Sequence, residues 1–144
     1  MWGSKWFINL FIVAFLVILT GLFLPDEFHI EQSIEINAPA DKVYAAIVDL
    51  RKWEQWGTWF QKDSNAVITY DGPDRAIGMR SRWSSEIIGR GSIEITALQF
   101  NRQLIYSVNN ETQGIKAHGE MRLKPQDNST MLIWSSRGNV GINI

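Results

Sequence analysis

Residues that could act as acids, bases or nucleophiles form no recognisable catalytic pattern in this sequence of 144 residues. Glu86 and Glu94 are candidate cavity acids, but no two carboxylates have a spacing that indicates a general acid paired with a general base. Glu94 lies between two isoleucines in a segment of alternating polarity, so we expect it to point outward if they point inward. The pair Ser84-Ser85 lacks the motif of an activated nucleophile. The sequence therefore predicts no catalytic residue.

Metal-binding and cofactor-binding patterns are also missing from the sequence. It contains no cysteine, which excludes a disulfide framework, a thiol nucleophile and a cysteine zinc site. Its two histidines, His29 and His118, are too few for a histidine-rich metal site. Gly89 and Gly91 do not form a phosphate-binding loop, because the third glycine is missing and no helix follows them. Glycines in or beside strands more often mark bulges or bends of a curved sheet. We predict no metal ion and no cofactor.

The overall charge argues against a nucleic-acid partner. Lys and Arg total 14 and Asp and Glu total 15, which leaves a formal net charge of −1. A general nucleic-acid binder would carry a basic excess or a basic stripe. Hydrophobic residues make up 45% of the chain and charged residues 20%, a balance typical of a folded protein rather than a disordered one.

Large apolar side chains are the more promising functional groups. Trp53, Trp56, Trp59 and Phe60 follow one another closely, and they could form either an aromatic rim at a cavity mouth or a core beneath a loop. Further large side chains alternate along predicted strands, where they face either a ligand or an ordinary core. The candidate ligand-binding residues are Trp53, Trp56, Met79, Trp83, Tyr106, Met121 and Trp134.

The elements that must position these side chains follow from the polarity pattern. A β-prone run spans Glu27–Ile36, an amphipathic helix follows over residues 40–50, and residues 51–56 form a second short turn of helix. Alternation and turn signals predict six further strands, at residues 67–70, 77–85, 91–100, 103–109, 115–124 and 130–137. This order predicts an α+β fold with an antiparallel sheet. One short helix leaves much of the inner face bare, so another helix, a partner or a ligand must cover it.

The N-terminal segment has the composition of a membrane anchor. The run that starts at Trp6 and ends at Leu24 holds 19 residues without a charge, and as a helix it would measure about 28 Å, close to the ~30 Å of a bilayer core. A buried core helix and a cleaved signal peptide are the alternatives. Lys5 precedes the run and no Lys or Arg follows until Lys42. The positive-inside rule then predicts a single-pass anchor over residues 1–25, with a cytoplasmic N-terminus and an extracytoplasmic domain, periplasmic in a bacterium.

The sequence after this anchor resembles the polyketide cyclase/dehydrase-like members of the START-related (SRPBCC) superfamily. The resemblance extends over about residues 28–140 at the level of pattern. It is carried by residues 33–44 (SIEINAPADKVY), residues 49–53 (DLRKW), Trp56, the pair Gly78-Met79 and residues 89–95 (GRGSIEI). It implies a helix-grip fold, in which a curved antiparallel sheet wraps a long C-terminal helix and encloses an apolar cavity for lipids, sterols, polyketides or similar ligands.

The sequence departs from that pattern at its end, because residues 138–144 stand where the family's closing helix should begin. We therefore expect residues 26–144 to be a START-like domain truncated before that helix, unless a partner supplies the cover or the cavity is open. The leading hypothesis is a membrane-anchored module that binds a hydrophobic small molecule or lipid. The alternatives are a cyclase or dehydratase that uses a cavity carboxylate, Glu86 or Glu94, and an interaction scaffold that uses the open sheet face.

Overall fold

The computed structural model describes residues 27–56 and 60–140, and in them seven strands form one curved antiparallel sheet. The strands are β1 (Glu27–Ile36), β2 (Val67–Asp71), β3 (Arg80–Ser85), β4 (Gly89–Gln99), β5 (Gln103–Asn110), β6 (Ile115–Pro125) and β7 (Thr130–Val140). They lie in the order β1-β7-β6-β5-β4-β3-β2. Six of the seven connect to their sequence neighbours as hairpins, whereas β1 crosses to the far edge and pairs with β7. The predicted antiparallel sheet with a short helix after its first strand is confirmed.

The helical segments fill the connection between β1 and β2. They are α1 (Ala40–Val48), a 3₁₀ turn (Leu50–Lys52), α2 (Trp53–Trp56) and a second 3₁₀ turn (Phe60–Lys62). The buried side of α1 packs against β5 and β6 through Val43, Tyr44, Ile47 and Val48. This spacing is the apolar stripe of an amphipathic helix.

The helix α1 ends at Val48, two residues before the end predicted from the sequence. Asp49 takes an extended backbone (φ −100°, ψ 105°), and its carboxylate accepts a hydrogen bond of 3.1 Å from the Arg51 backbone N–H. The Asp49 side chain therefore starts the 3₁₀ turn instead of continuing the helix, because aspartate competes well for nearby backbone donors.

The two faces of the sheet separate as the alternation in the sequence predicts. On β6, the inward residues Ala117, Gly119, Met121 and Leu123 are buried, while the outward residue His118 is exposed. A shift in register between Ile95 and Ala97 inserts a bulge into β4. Bulges increase local twist and bend a strand, so this one contributes to the curvature of the sheet.

The strand β3 begins later than predicted. Residues 77–79 precede it in a turn, where Gly78 has a φ of +94° and Ile77 is 57% exposed. The predicted start of this strand at residue 77 was therefore wrong, and Ile77 is not buried as Met79 and Trp83 are. The positive φ at Gly78 reorients the chain immediately before the strand, so the alternation of β3 does not extend back to Ile77.

The predicted anchor, residues 1–25, lies outside the described residues, as does Trp59. Within residues 27–56 and 60–140, none of the helices has the length and apolar character that a bilayer crossing requires.

Candidate ligand-binding groove

A groove runs along the inner face of the sheet and widens beneath α1. Its larger part, which we name the helix-end pocket, has a volume of about 810 Å³. Its lining is predominantly apolar and comes from β1, α1, α2, β6 and β7. The lining residues are Gln32, Ser33, Ile34, Ile36, Ala38, Lys42, Val43, Ala46, Ile47, Trp56, Met121, Leu132 and Trp134. This volume falls within the range of cavities that hold drug-sized ligands.

A smaller cavity of about 300 Å³ lies farther along the same face, towards the β3–β4 and β5–β6 hairpins. We name it the hairpin-end pocket. It combines aromatic and branched side chains with two polar ones, Asn110 and Ser136. Its lining residues are Trp83, Ile88, Ile93, Tyr106, Val108, Asn110, Ala117, Trp134 and Ser136. Trp134 belongs to both linings, so the two pockets are neighbouring parts of one groove.

Four aromatic rings form a continuous array between the two pockets. Trp53 lies 4.9 Å from Trp56 and 5.1 Å from Tyr106, measured between ring centroids. Trp56 in turn meets Trp134 edge to face at 6.1 Å. Edge-to-face pairs at these distances are favourable beyond the area they bury, so the array holds its rings in fixed orientations.

A hydrogen bond closes the array, because the Trp134 indole N–H donates to the Tyr106 hydroxyl at 2.7 Å. Tyr106 is only 4% exposed. Burial raises the pKa of Tyr106 to about 12, since the ionised phenolate would lose its hydration. At neutral pH this residue therefore offers a neutral hydroxyl to the groove.

Two glycines lie directly beneath aromatic rings of the groove, where any larger residue would place a Cβ against the ring. Tyr106 is the cross-strand partner of Gly119, and Trp83 is the cross-strand partner of Gly91. A Cβ at Gly119 would overlap Cζ and the hydroxyl oxygen of Tyr106, and a Cβ at Gly91 would lie 2.7 Å from Cη2 of Trp83. Both rings thus lie over the glycine of the neighbouring strand, in space that a Cβ would occupy. The sequence, which predicts bulges or bends at strand glycines, does not predict that Gly91 and Gly119 make room for aromatic rings.

Five of the seven predicted ligand-binding residues line one or both of these pockets, and two do not. Trp56, Met121 and Trp134 line the helix-end pocket, and Trp83, Tyr106 and again Trp134 line the hairpin-end pocket. Trp53 and Met79 line neither of these pockets and lie in the core, at 1% and 3% exposure. The Trp53 indole N–H donates to the Ile47 carbonyl at 2.8 Å, so Trp53 fastens α2 to the C-terminal end of α1.

Sequence reasoning did not select several lining residues. Ile34, Ala46 and Leu132 line the helix-end pocket, while Ile88 and Ser136 line the hairpin-end pocket. The alternation of β1 places Ile34 on the inner face, and the same pattern could have identified it as a lining residue. Ala46 carries no such signal, because an alanine on a half-buried helix is equally common beneath ordinary packing.

Charged groups are nearly absent from the groove. Within the described part of the chain, Lys42 is the only charged residue that lines either pocket. Glu94 points to the outer face and pairs with Arg80 at 3.0 Å, and Glu86 is exposed in the β3–β4 turn. Neither candidate cavity acid therefore reaches the groove. No group of three or more metal-binding side chains occurs among the residues the structure describes.

Comparison with protein families gives one match over most of the chain. Residues 27–142 match the family described as "Polyketide cyclase / dehydrase and lipid transport". No curated protein sequence matches the chain.

Several solved structures share the fold at low sequence identity. A point mutant of norcoclaurine synthase from Thalictrum flavum, in complex with a transition-state analogue, is 12% identical, with a TM-score of 0.62 over 81% of this chain and 77% of that one. A protein from Thermobifida fusca is 14% identical, with a TM-score of 0.61 and coverages of 79% and 75%. Mll3558 from Rhizobium loti is 18% identical, with a TM-score of 0.57 and coverages of 82% and 84%. At these identities the likeness concerns the fold alone.

Proposed function

Because this chain belongs to the polyketide cyclase/dehydrase and lipid transport family, we propose that it binds a hydrophobic small molecule or a lipid in the groove between α1 and the sheet. We further propose that residues 6–24 anchor the protein in a bilayer, beside the phase in which such a ligand dissolves. Tethering raises the concentration of the binding domain at the membrane surface, which favours capture of a ligand that partitions there.

The observation that carries the binding proposal is the apolar lining of the helix-end pocket. Within the described residues its one charged lining residue is Lys42, which is exposed, so an entering ligand meets mainly apolar surface. Each 100 Å² of apolar surface removed from water contributes about 2.5 kcal/mol before the costs of binding are subtracted. The exposed fractions of Ile30 (54%) and Ile34 (60%) show that apolar surface on this face remains available for contact.

We expect Ala46→Phe to displace the ligand, because Ala46 lines the helix-end pocket and a phenylalanine there would occupy part of its volume. The full chain would be purified in detergent, and co-purified apolar compounds would be extracted and quantified by mass spectrometry per mole of protein. A compound enriched on the unmodified chain should fall by about tenfold, equivalent to about 1.4 kcal/mol of binding free energy.

The neighbouring residue supplies a matched control. Ala45 lies on the same helix but is exposed to solvent and does not line the pocket, so Ala45→Phe should retain the compound. Equal depletion in both variants would contradict binding in the helix-end pocket. If the unmodified chain carries no enriched compound, the binding proposal fails, and the interaction-scaffold hypothesis becomes the stronger one.

The anchor and the side of the membrane can be tested together, because the chain has no native cysteine. Asn128→Cys places one thiol at an exposed turn between β6 and β7. We expect this chain to sediment with membranes and to react with a membrane-impermeant maleimide in intact cells. Adding Leu16→Arg, which costs about 2.5–3.5 kcal/mol at the centre of a span, should move the chain to the soluble fraction.

Two results would contradict the anchor proposal. If the Leu16→Arg chain sediments as fully as its parent, then residues 6–24 do not hold the protein in the bilayer. If the thiol reacts only after the cells are permeabilised, then the domain is cytoplasmic and the orientation is the reverse of the one proposed.

The enzyme alternative needs an ionisable group in the groove. Glu86 and Glu94 lie outside it, so the carboxylate catalyst that this hypothesis named has no support from their positions. The binding proposal requires no such group, and it accounts for the predominantly apolar lining of both pockets.

A further inference from the structure

The Tyr106 hydroxyl accepts a hydrogen bond but donates none to the residues that the structure describes. Its oxygen accepts the Trp134 indole N–H at 2.7 Å, but among the described residues no acceptor receives the hydroxyl's own proton. The side chain is 4% exposed, so bulk water has little access to it. A buried donor without an acceptor is unfavourable, and such groups in native proteins usually mark a bound water or a functional contact.

The surrounding residues fix where this hydroxyl points. The ring lies over Gly119, the Trp53 ring packs perpendicular to it at a centroid distance of 5.1 Å, and the Trp134 indole N–H donates to its oxygen. Because a phenol O–H prefers the plane of its ring, few directions remain for the proton. Burial raises the pKa of Tyr106 to about 12, so the proton is present throughout the physiological pH range.

Tyr106 belongs to the lining of the hairpin-end pocket, whose other walls are mainly apolar. Trp83, which lies over Gly91, adds a second aromatic ring to the lining. Ile93 and Val108 complete the floor between these rings. Three aromatic side chains, Trp83, Tyr106 and Trp134, line this pocket, and aromatic walls favour a planar apolar molecule. An acceptor atom on the edge of that molecule would satisfy the Tyr106 donor.

We propose that the hairpin-end pocket binds the oxygen-bearing edge of a planar apolar ligand, whose carbonyl or hydroxyl oxygen accepts a hydrogen bond from Tyr106. This inference rests on the proposed function, since it assigns a ligand class to the same groove. It makes Tyr106 a specificity-determining residue, while the apolar walls supply most of the affinity.

The test compares 2-acetylnaphthalene with 2-ethylnaphthalene, two flat probes of similar size that differ in a carbonyl oxygen. Binding to the full chain would be measured by equilibrium dialysis of protein in detergent micelles against the same micelles without protein, which cancels partition into detergent. We expect the unmodified protein to bind the acetyl probe about 3- to 10-fold more tightly than the ethyl probe, the worth of one neutral hydrogen bond.

Tyr106→Phe should abolish this selectivity by weakening the acetyl probe alone, because the ring and the pocket shape remain. Tyr44→Phe is the matched control: Tyr44 is also buried, lines neither pocket, and its substitution should leave the selectivity unchanged.

The outcomes separate this inference from the proposal on which it rests. If the unmodified protein binds neither probe, the groove is not an apolar binding site and the proposed function itself is in error. If it binds both probes equally, or if Tyr106→Phe keeps the selectivity, the hydrogen-bonding inference is overturned while the groove proposal stands. If Tyr106→Phe loses both probes because the pocket collapses, the carbonyl stretching band of the acetyl probe bound to the unmodified protein decides. A shift to lower wavenumber than in an apolar solvent supports the inference, and an unshifted band overturns it.

Discussion

The Trp53→Ala variant should lose about 3–5 kcal/mol of folding free energy, the usual cost of truncating a buried tryptophan. Trp53 is 1% exposed and contacts both Trp56 and Tyr106, so its removal leaves a cavity at the centre of the aromatic array. It also releases the Ile47 carbonyl, one of the last carbonyls of α1, which lack a partner within the helix. Chemical denaturation of the full chain in detergent would measure the loss.

One further variant separates the ring contacts of Trp53 from its hydrogen bond, and a second serves as a surface control. Trp53→Phe keeps most of the ring contacts but leaves the Ile47 carbonyl without its donor, so a smaller loss of about 1–3 kcal/mol is expected. Ile87→Ala truncates a side chain that is 68% exposed in the β3–β4 turn and should change stability by no more than about 0.5 kcal/mol. A Trp53→Ala loss as small as that of Ile87→Ala would show that Trp53 is not a core residue.

The Gly119→Ala variant should be destabilised by about 2–3 kcal/mol, although the added group is one methyl. A Cβ at this position would overlap the Tyr106 ring, and overpacking of this kind forces side chains from their preferred positions. The displaced ring would also strain its hydrogen bond with Trp134. Without the ring, alanine would be the better strand residue, because glycine loses more conformational freedom on folding.

That contrast makes a double-mutant cycle decisive. In a Tyr106→Leu background the ring atoms that obstruct the Cβ are gone, so Gly119→Ala should cost less than about 1 kcal/mol. The free energies of unfolding of the four proteins would be compared by denaturation under one set of conditions. If the two substitutions add independently, then Gly119 does not serve to seat Tyr106, and the account of the groove floor is incorrect.

These predictions concern one feature of the groove, the pairing of a large ring with a glycine on the neighbouring strand. The pairing occurs twice, at Tyr106 with Gly119 and at Trp83 with Gly91. Each glycine lets the ring cover the sheet instead of projecting into the groove, which preserves space for a ligand. The aromatic lining of the hairpin-end pocket and the Tyr106 hydroxyl are the basis of the ligand class that we propose.

Much of the fold could be predicted from local patterns. The strand Glu27–Ile36 has the predicted bounds. The alternating faces of β6 agree with the structure because polarity with a period of two directly reports which residues face the core. The ends of elements were less predictable. The strand β7 continues to Val140, beyond the predicted end at residue 137, because both of its neighbours, β1 and β6, keep pairing with it.

The candidate site was predictable only in part. Large aromatic residues marked Trp56, Trp83, Tyr106 and Trp134, all of which line a pocket. The same criterion also selected Trp53, which is buried in the core. A tryptophan in the core and a tryptophan at a cavity wall have the same composition signal, and only the position of neighbouring elements distinguishes them.

The sequence by itself determined which residues alternate, where the helix follows the first strand, and that apolar surface would exceed what one short helix can cover. Those properties depend on neighbours within a few positions along the chain. The tertiary structure decided that Tyr106 lies over Gly119, that Glu94 pairs with Arg80 on the outer face, and that Trp134 joins two pockets. Each of these depends on strand register and sheet curvature, which bring together residues that are distant in sequence.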